Sequence, residues 1–227
     1  YHREITGEER YTLVKNRYQE FKEERVFVQD QTPSFYIYKI VDREHQVFHG
    51  IVAAASAEDY EKDIIKKHED TLEFRENIFK SYLKTVGFNA EPVLLTYPDN
   101  PTIASIIKSM EQYRPEYEFT TTYRDTHHLW KIEDESIIRT IQDEFKKMSN
   151  VYIADGHHRS SSSYLMSNDL KQNNPNHNGT EPYNYFMTFL IPESELRIHE
   201  FNRLVKDLNG LKKEEFIEIC EILGRIP

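Results

Sequence analysis

Two short clusters of side chains in this 227-residue chain have the types and spacing to do chemistry. The first is Asp155-Gly156-His157-His158-Arg159, which follows the apolar run Val151-Tyr152-Ile153-Ala154 with no spacer. A buried strand that breaks at Asp-Gly and re-enters as a helix leaves backbone N–H groups unpaired at the turn. Those groups, with the positive end of the helix dipole, attract anions. Arg159 adds a planar fork suited to phosphate or carboxylate. His157 and His158 add donors that strengthen on protonation. Asp155 could hold a magnesium ion or fix a histidine tautomer. Ser160 to Ser163 keep the first turns small, so the helix can approach a sheet or a ligand closely. Packing alone gives no reason to gather these polar groups at one strand end. No GxxxxGK[ST] loop is present, so this would be a phosphate cradle of another kind. Adjacent histidines point to different sides of a strand or helix, which disfavours a shared zinc ion.

The second cluster is Lys66-Lys67-His68-Glu69, with Thr71 and Arg75 close behind. A solvated helix face is the usual fate of such a charge run. Its other reading is a set of catalytic and phosphate-neutralising groups. Weaker candidates are His127, His128 and Trp130, then Tyr183, Asn184 and Tyr185, then Arg203. Each is more simply read as structural.

The elements that must position these groups follow from periodicity. Residues 7–24 carry Tyr11, Val14, Tyr18 and Phe21 at helical spacing. Residues 33–40 and 48–56 read as strands, rich in aromatic and β-branched residues. Ser56 should cap a helix carrying Tyr60, Ile64 and Ile65. A helix is expected over 72–86, ended by Gly87. A strand follows at 92–97, a turn at 98–101 and a helix over 102–113. Strands at 120–122 and 128–132 should flank a turn at Arg124-Asp125. Ser136 should cap a helix to Met148. After the strand at 151, a helix is expected from about Ser160. Residues 171–182 read as a mobile polar loop and 185–191 as a buried strand. Residues 196–205 read as extended, and 212–223 as a last helix. Strands and helices are intermixed, which predicts an α/β or α+β fold with a mixed sheet and flanking helices.

Composition narrows the function classes. The formal net charge of −10 disfavours a non-specific nucleic-acid binder, whose affinity comes from Lys and Arg on phosphates. Cys220 is the one cysteine, so there is no disulfide within the chain and no thiolate zinc site. That suits a reducing, cytoplasmic setting. No run approaches the roughly 18 apolar residues of a membrane span. The chain begins at Tyr1 and is expected to be part of a longer protein, with an approximate core over 33–210.

A resemblance gives the two clusters a shared meaning. IADGHHRS at 153–160 resembles the signature of the uncharacterised prokaryotic family called domain of unknown function 1015. IIKKHEDT at 64–71, EPVLLTYPDNP at 91–101, HHLW at 127–130, EPYNYF at 181–186 and NRLVKDLNG at 202–210 are similar to that family too. More distantly, His68-Glu69-x-Thr71, Gly87, Pro92-Val93-Leu94-Leu95 and the 155–159 box are similar in order to the ParB and sulfiredoxin superfamily, including its free-serine kinases. The segment between PVLLTY and the second box is longer here and carries the HHLW stretch as an insertion.

That resemblance implies a ParB/sulfiredoxin-like core. It implies nucleotide contacts from Gly156, His157, His158, Arg159, Ser160, Lys67, His68 and Thr71. It implies catalytic roles for Glu69, Asp155 and His157, with Glu69 as the general base. The expected activity is phosphoryl transfer from ATP or ADP, with Mg2+, to a small hydroxyl compound, free L-serine first. The sulfiredoxin reaction needs a cysteine where His157 stands. The alternatives are a nucleotide-binding regulatory or switch module without small-molecule turnover, and a non-enzymatic interaction domain.

Overall fold

The structure is a computed structural model and describes residues 6–198, 204 and 206–223. The chain divides into two units, residues 1–196 and 197–227. In the larger unit the helices are α1 (Gly7–Glu23), α2 (Ala57–Glu61), α3 (Glu73–Val86), α4 (Pro101–Met110), α5 (Glu135–Lys147) and α6 (His157–Asn173). The strands are β1 (Phe35–Val41), β2 (Val47–Ser56), β3 (Ile65–Lys66), β4 (Val93–Tyr97), β5 (Tyr117–Thr120), β6 (Thr126–Ile132), β7 (Val151–Asp155) and β8 (Tyr185–Pro192). The smaller unit contains α7 (Lys213–Leu223). Of the 196–205 segment, residues 199–203 and 205, including Arg203, lie outside the described residues.

The eight strands form one mixed sheet in the order β3-β7-β4-β8-β2-β1-β6-β5. β3 with β7 and β4 with β8 are parallel; the other five neighbouring pairs are antiparallel. This is the mixed α/β architecture expected from the interleaved periodicities. Ile37, Ile51, Leu95, Trp130, Ile153 and Leu190 meet Ile103 and Ile107 of α4 and Ile141 of α5 in one core cluster. Alternation along each strand puts these residues on a common face. α1 lies on α3, with Tyr11 edge-on to Tyr82 at 5.4 Å and Tyr18 against Phe88 at 4.2 Å. Val14 stays exposed, so the expected four-residue stripe buries only partly. Among the described residues no helix is long and apolar enough to cross a membrane.

Several boundaries move, each for a physical reason. Ser56 caps α2 as expected, accepting the Glu58 N–H at 3.1 Å. The helix then stops at Glu61, because Asp63 adopts a left-handed φ of 58°. Ile64 and Ile65 are therefore not on it, and Ile65 joins β3 instead. α5 is capped by Asp134, whose Oδ1 accepts Ser136 N–H at 2.8 Å and Ile137 N–H at 3.2 Å. A carboxylate at the cap displaces Ser136 into the first turn. β5 runs over 117–120, ahead of the expected 120–122. α6 begins at His157, three residues earlier than expected. The 174–184 loop is organised rather than bare: the Glu181 carboxylate accepts the N–H groups of Asn178 at 2.7 Å and Gly179 at 3.0 Å.

Gly50 sits where β2 leaves no room for a side chain against β8. A Cβ there would overlap the Phe189 ring and come 2.7 Å from the Leu190 carbonyl oxygen. The ring can shift, but the carbonyl belongs to the neighbouring strand. Gly50→Ala is expected to destabilise the fold by about 1–3 kcal/mol, the usual cost of overpacking. Urea titration should show a lower midpoint with an unchanged slope.

Candidate functional site

The 155–159 box sits where β7 turns into α6. Gly156 has φ +99°, in the left-handed region, and a Cβ there would lie 2.9 Å from Arg159 Nε. Glycine is therefore favoured by the backbone, and the arginine side chain folds over it. No side chain caps α6. The first N–H groups of a helix have no partner within it, so this end keeps its attraction for anions.

His157, the first helical residue, is 6 % exposed. It faces the segment that follows β3. The His68 N–H donates to His157 Nε2 at 3.4 Å, and the Glu69 carboxylate lies 3.7 Å from Nδ1. The His68 and His157 rings meet nearly perpendicular, 4.4 Å between centroids. A ring that accepts at Nε2 carries its proton on Nδ1, so the neutral imidazole points an N–H towards Glu69. Burial, with the neighbouring His68, holds the His157 pKa below its ordinary 6.5, against the opposing pull of Glu69 and Asp155. Glu69 is mostly exposed, at 65 % of its side chain.

An open cleft of about 580 Å³ runs beside this contact. Lys67, His68, Glu69, Asp70 and Thr71 form one wall. Ser161, Tyr164 and Leu165 of α6 form the other, with Glu76 and Tyr60 between. Glu76 accepts the hydroxyls of both Thr71 and Ser161, which ties the loop to α6. Its backbone carbonyl accepts the Ser162 hydroxyl at 3.1 Å. Burial pushes the Glu76 carboxyl up, but the Ser161 and Thr71 hydroxyls, with His158 and Lys67, outweigh it and hold the pKa low. Lys67 Nζ sits 4.5 Å above the Tyr60 ring. Lys66, paired with Asp63, does not line this cleft.

The rest of the box points elsewhere. Arg159 donates to Glu91 at 2.8 Å, to the Pro92 carbonyl at 3.0 Å and to Asp155. It lines a smaller neighbouring hollow with Glu91, Tyr82 and Phe79. Asp155 is thus engaged with Arg159 rather than with a histidine. Successive helical residues diverge by about 100°, so His157 and Arg159 cannot share a wall. Ser160 is buried, its hydroxyl donating to the Gly156 carbonyl at 3.2 Å. His158 is half-buried and its Nδ1 has no partner among the described residues. The weaker candidates at 127–130 and 183–185 lie outside this cleft. His128 stacks on buried Trp130 at 5.7 Å, and His127 Nδ1 meets the Tyr38 hydroxyl at 2.7 Å. Tyr183 meets His177 Nδ1 at 2.9 Å, and Asn184 donates to Glu181 at 3.0 Å.

Tyr60, Asp70, Glu76, Ser161 and Tyr164 join the site without having stood out as site residues in the sequence. Glu76 reads there as one more charge on an amphipathic helix; its meaning comes from Ser161, 85 positions away. The cleft walls carry three carboxylates, Glu69, Asp70 and Glu76, against one ammonium, Lys67. The space is therefore acidic, and a bare anion would enter it against repulsion. Among the described residues no group of three His, Cys, Asp or Glu side chains is arranged to hold a metal ion.

The buried imidazole gives a pH signature. A histidine whose folded pKa is depressed lets the unfolded chain take up the proton first. Stability present above the unfolded value near 6.5 is then lost as pH falls towards the folded value. His157→Gln should flatten that loss. Urea midpoints at about pH 7.5 and pH 5.5 should differ less in the variant than in the parent. An equal difference would mean that His157 titrates as an exposed histidine.

No curated protein and no solved structure matches the chain. A family model described as "Protein of unknown function (DUF1015)" matches residues 1–222, and the chain belongs to that family.

Proposed function

We propose that the cleft is the active site of a nucleotide-dependent phosphotransferase acting on a small hydroxyl compound. One observation carries the reading: His157, the first residue of α6, touches both His68 and Glu69, so two boxes 86 positions apart meet at an uncapped helix N-terminus. In this reading the nucleotide phosphates lie at the Gly156 turn. Glu69, Asp70 and Glu76 are the carboxylates that could hold a magnesium ion entering with the nucleotide, and such an ion would offset their charge. Lys67 neutralises charge on the transferring phosphoryl group.

Glu69 takes the proton of the acceptor hydroxyl as its oxygen bonds to phosphorus. The bond to the nucleotide's bridging oxygen breaks, and that nucleotide leaves with the charge. Little base strength is needed for a loose transition state, so an ordinary carboxylate suffices. Neutral His157 points its Nδ1–H at Glu69 and orients it. The similarity in order of the two boxes to the free-serine kinases of the ParB and sulfiredoxin superfamily supports this reading. On that similarity free L-serine is the first acceptor to try, with ATP or ADP as donor.

Glu69→Gln keeps shape and hydrogen-bonding reach but removes the proton acceptor. Nucleotide affinity should stay within about threefold while turnover falls by roughly 10²–10⁴. Calorimetry gives the first quantity. Mass spectrometry of a pool of hydroxyl metabolites, incubated with ATP or ADP and magnesium, gives the second. Nucleotide binding with no phosphorylated product from the parent protein would point to a switch module instead. An undiminished rate in the variant would remove Glu69 from the chemistry.

A further inference from the structure

His49, on β2, holds both of its ring nitrogens against carboxylates. Nδ1 lies 3.0 Å from Glu195 Oε1, and Nε2 lies 3.2 Å from Glu111 Oε1. A carboxylate only accepts, and a neutral imidazole carries a single N–H. Both contacts are therefore hydrogen bonds only when the ring is an imidazolium. The partners come from two other elements. Glu111 is the residue that ends α4, and Glu195 ends the short 3-10 turn Glu193–Glu195 that follows β8. The His49 backbone N–H also donates to Glu195.

The charged groups around the ring come from every element packed there. Lys39, which faces His49 in the register of β1 with β2, reaches Glu111 at 2.5 Å. Tyr97 and Asp99 at the end of β4, and Lys108 of α4, line the same cleft of about 460 Å³. Asp99 accepts the Ser194 N–H at 3.2 Å. The His49, Glu111 and Glu195 side chains are 20 %, 25 % and 26 % exposed, so water screens their charges only in part. Burial pushes the Glu111 carboxyl up, but Lys39 and His49 outweigh it and hold its pKa low. The hydrogen bond to Glu195, with the charges of Glu195 and Glu111, raises the His49 pKa above its ordinary 6.5 against the effect of burial.

We propose that His49 is a proton-controlled latch between α4 and the 193–195 turn, closed when the ring is protonated and released as pH rises. The imidazolium draws two carboxylates to the two sides of one ring. Once its proton passes to solvent, the ring can donate to one of them alone. The other then faces a lone pair, and the two carboxylates repel with only Lys39 left to offset them. The folded ring binds its proton more tightly than the unfolded chain does. The stability of the latch is therefore complete below pH 6.5 and is lost as pH rises through the folded value. The latch stands apart from the chemistry assigned to the Glu69 cleft.

The test follows the intact chain by NMR over about pH 5.5–9, the range in which a perturbed histidine titrates. The His49 ring should titrate with a midpoint above 6.5. The His49 amide donates to Glu195 and the Glu111 amide to Ile107. Protection of both from hydrogen exchange, corrected for its intrinsic pH dependence, should fall by at least about tenfold across that midpoint, the weight of one charge-assisted hydrogen bond. His49→Gln should abolish that fall and leave the protection of the Leu95 amide unchanged. Glu195→Gln should weaken the proton affinity of His49 by about tenfold. A midpoint at or below 6.5, an unchanged midpoint in Glu195→Gln, or an equal fall in protection in His49→Gln would each overturn the proposal. The first of these needs only the parent protein, so it decides the matter if the variants fail to fold.

Discussion

Every distance in the Glu69 cleft depends on a two-residue parallel pairing. Ile65 and Lys66 run beside Val151 and Tyr152, and the Val151 N–H donates to the Ile64 carbonyl at 3.0 Å. Parallel pairing sends both chains out at the same end. Residue 67 therefore leaves the sheet level with residue 153, and the loop it begins runs on beside the end of β7 towards the start of α6. Ile65, almost fully buried, anchors the short strand where few ladder bonds are available. Glu76 then repeats the connection from α3, holding Thr71 on one side and Ser161 on the other.

Electrostatics divides the box between two tasks. Arg159 spends its charge on Asp155 and Glu91, which closes the turn over Gly156. His157 gives up most of its solvent contact and stays neutral, facing Glu69. The uncapped helix end and Lys67 are left as the positive features near an otherwise acidic space. Such a site suits an anion that brings its own cation better than a bare phosphate, which is why magnesium belongs in the functional reading.

Around Glu69 the polar groups project from a loop and a helix, with the Glu69 carboxylate exposed. β4, held between β7 and β8, adjoins the Gly156 turn through the pairing of Leu94 with Asp155.

Much of this was legible in the chain alone. The strand before Asp155, the turn at Gly156, the cap at Ser56 and the stop at Gly87 are local features, set by backbone preference and side-chain reach within a few residues. So were the two clusters, whose side-chain types packing does not require. Other features were decided by contacts between distant positions. Ile65 left its expected helix because pairing with Val151 buried it. Glu76 became part of the site only through Ser161, and Arg159 turned from the cleft because Glu91 and Pro92 lay within its reach. Sequence specifies what each residue can do with its neighbours; which of those options is used depends on which distant groups folding brings within hydrogen-bond distance.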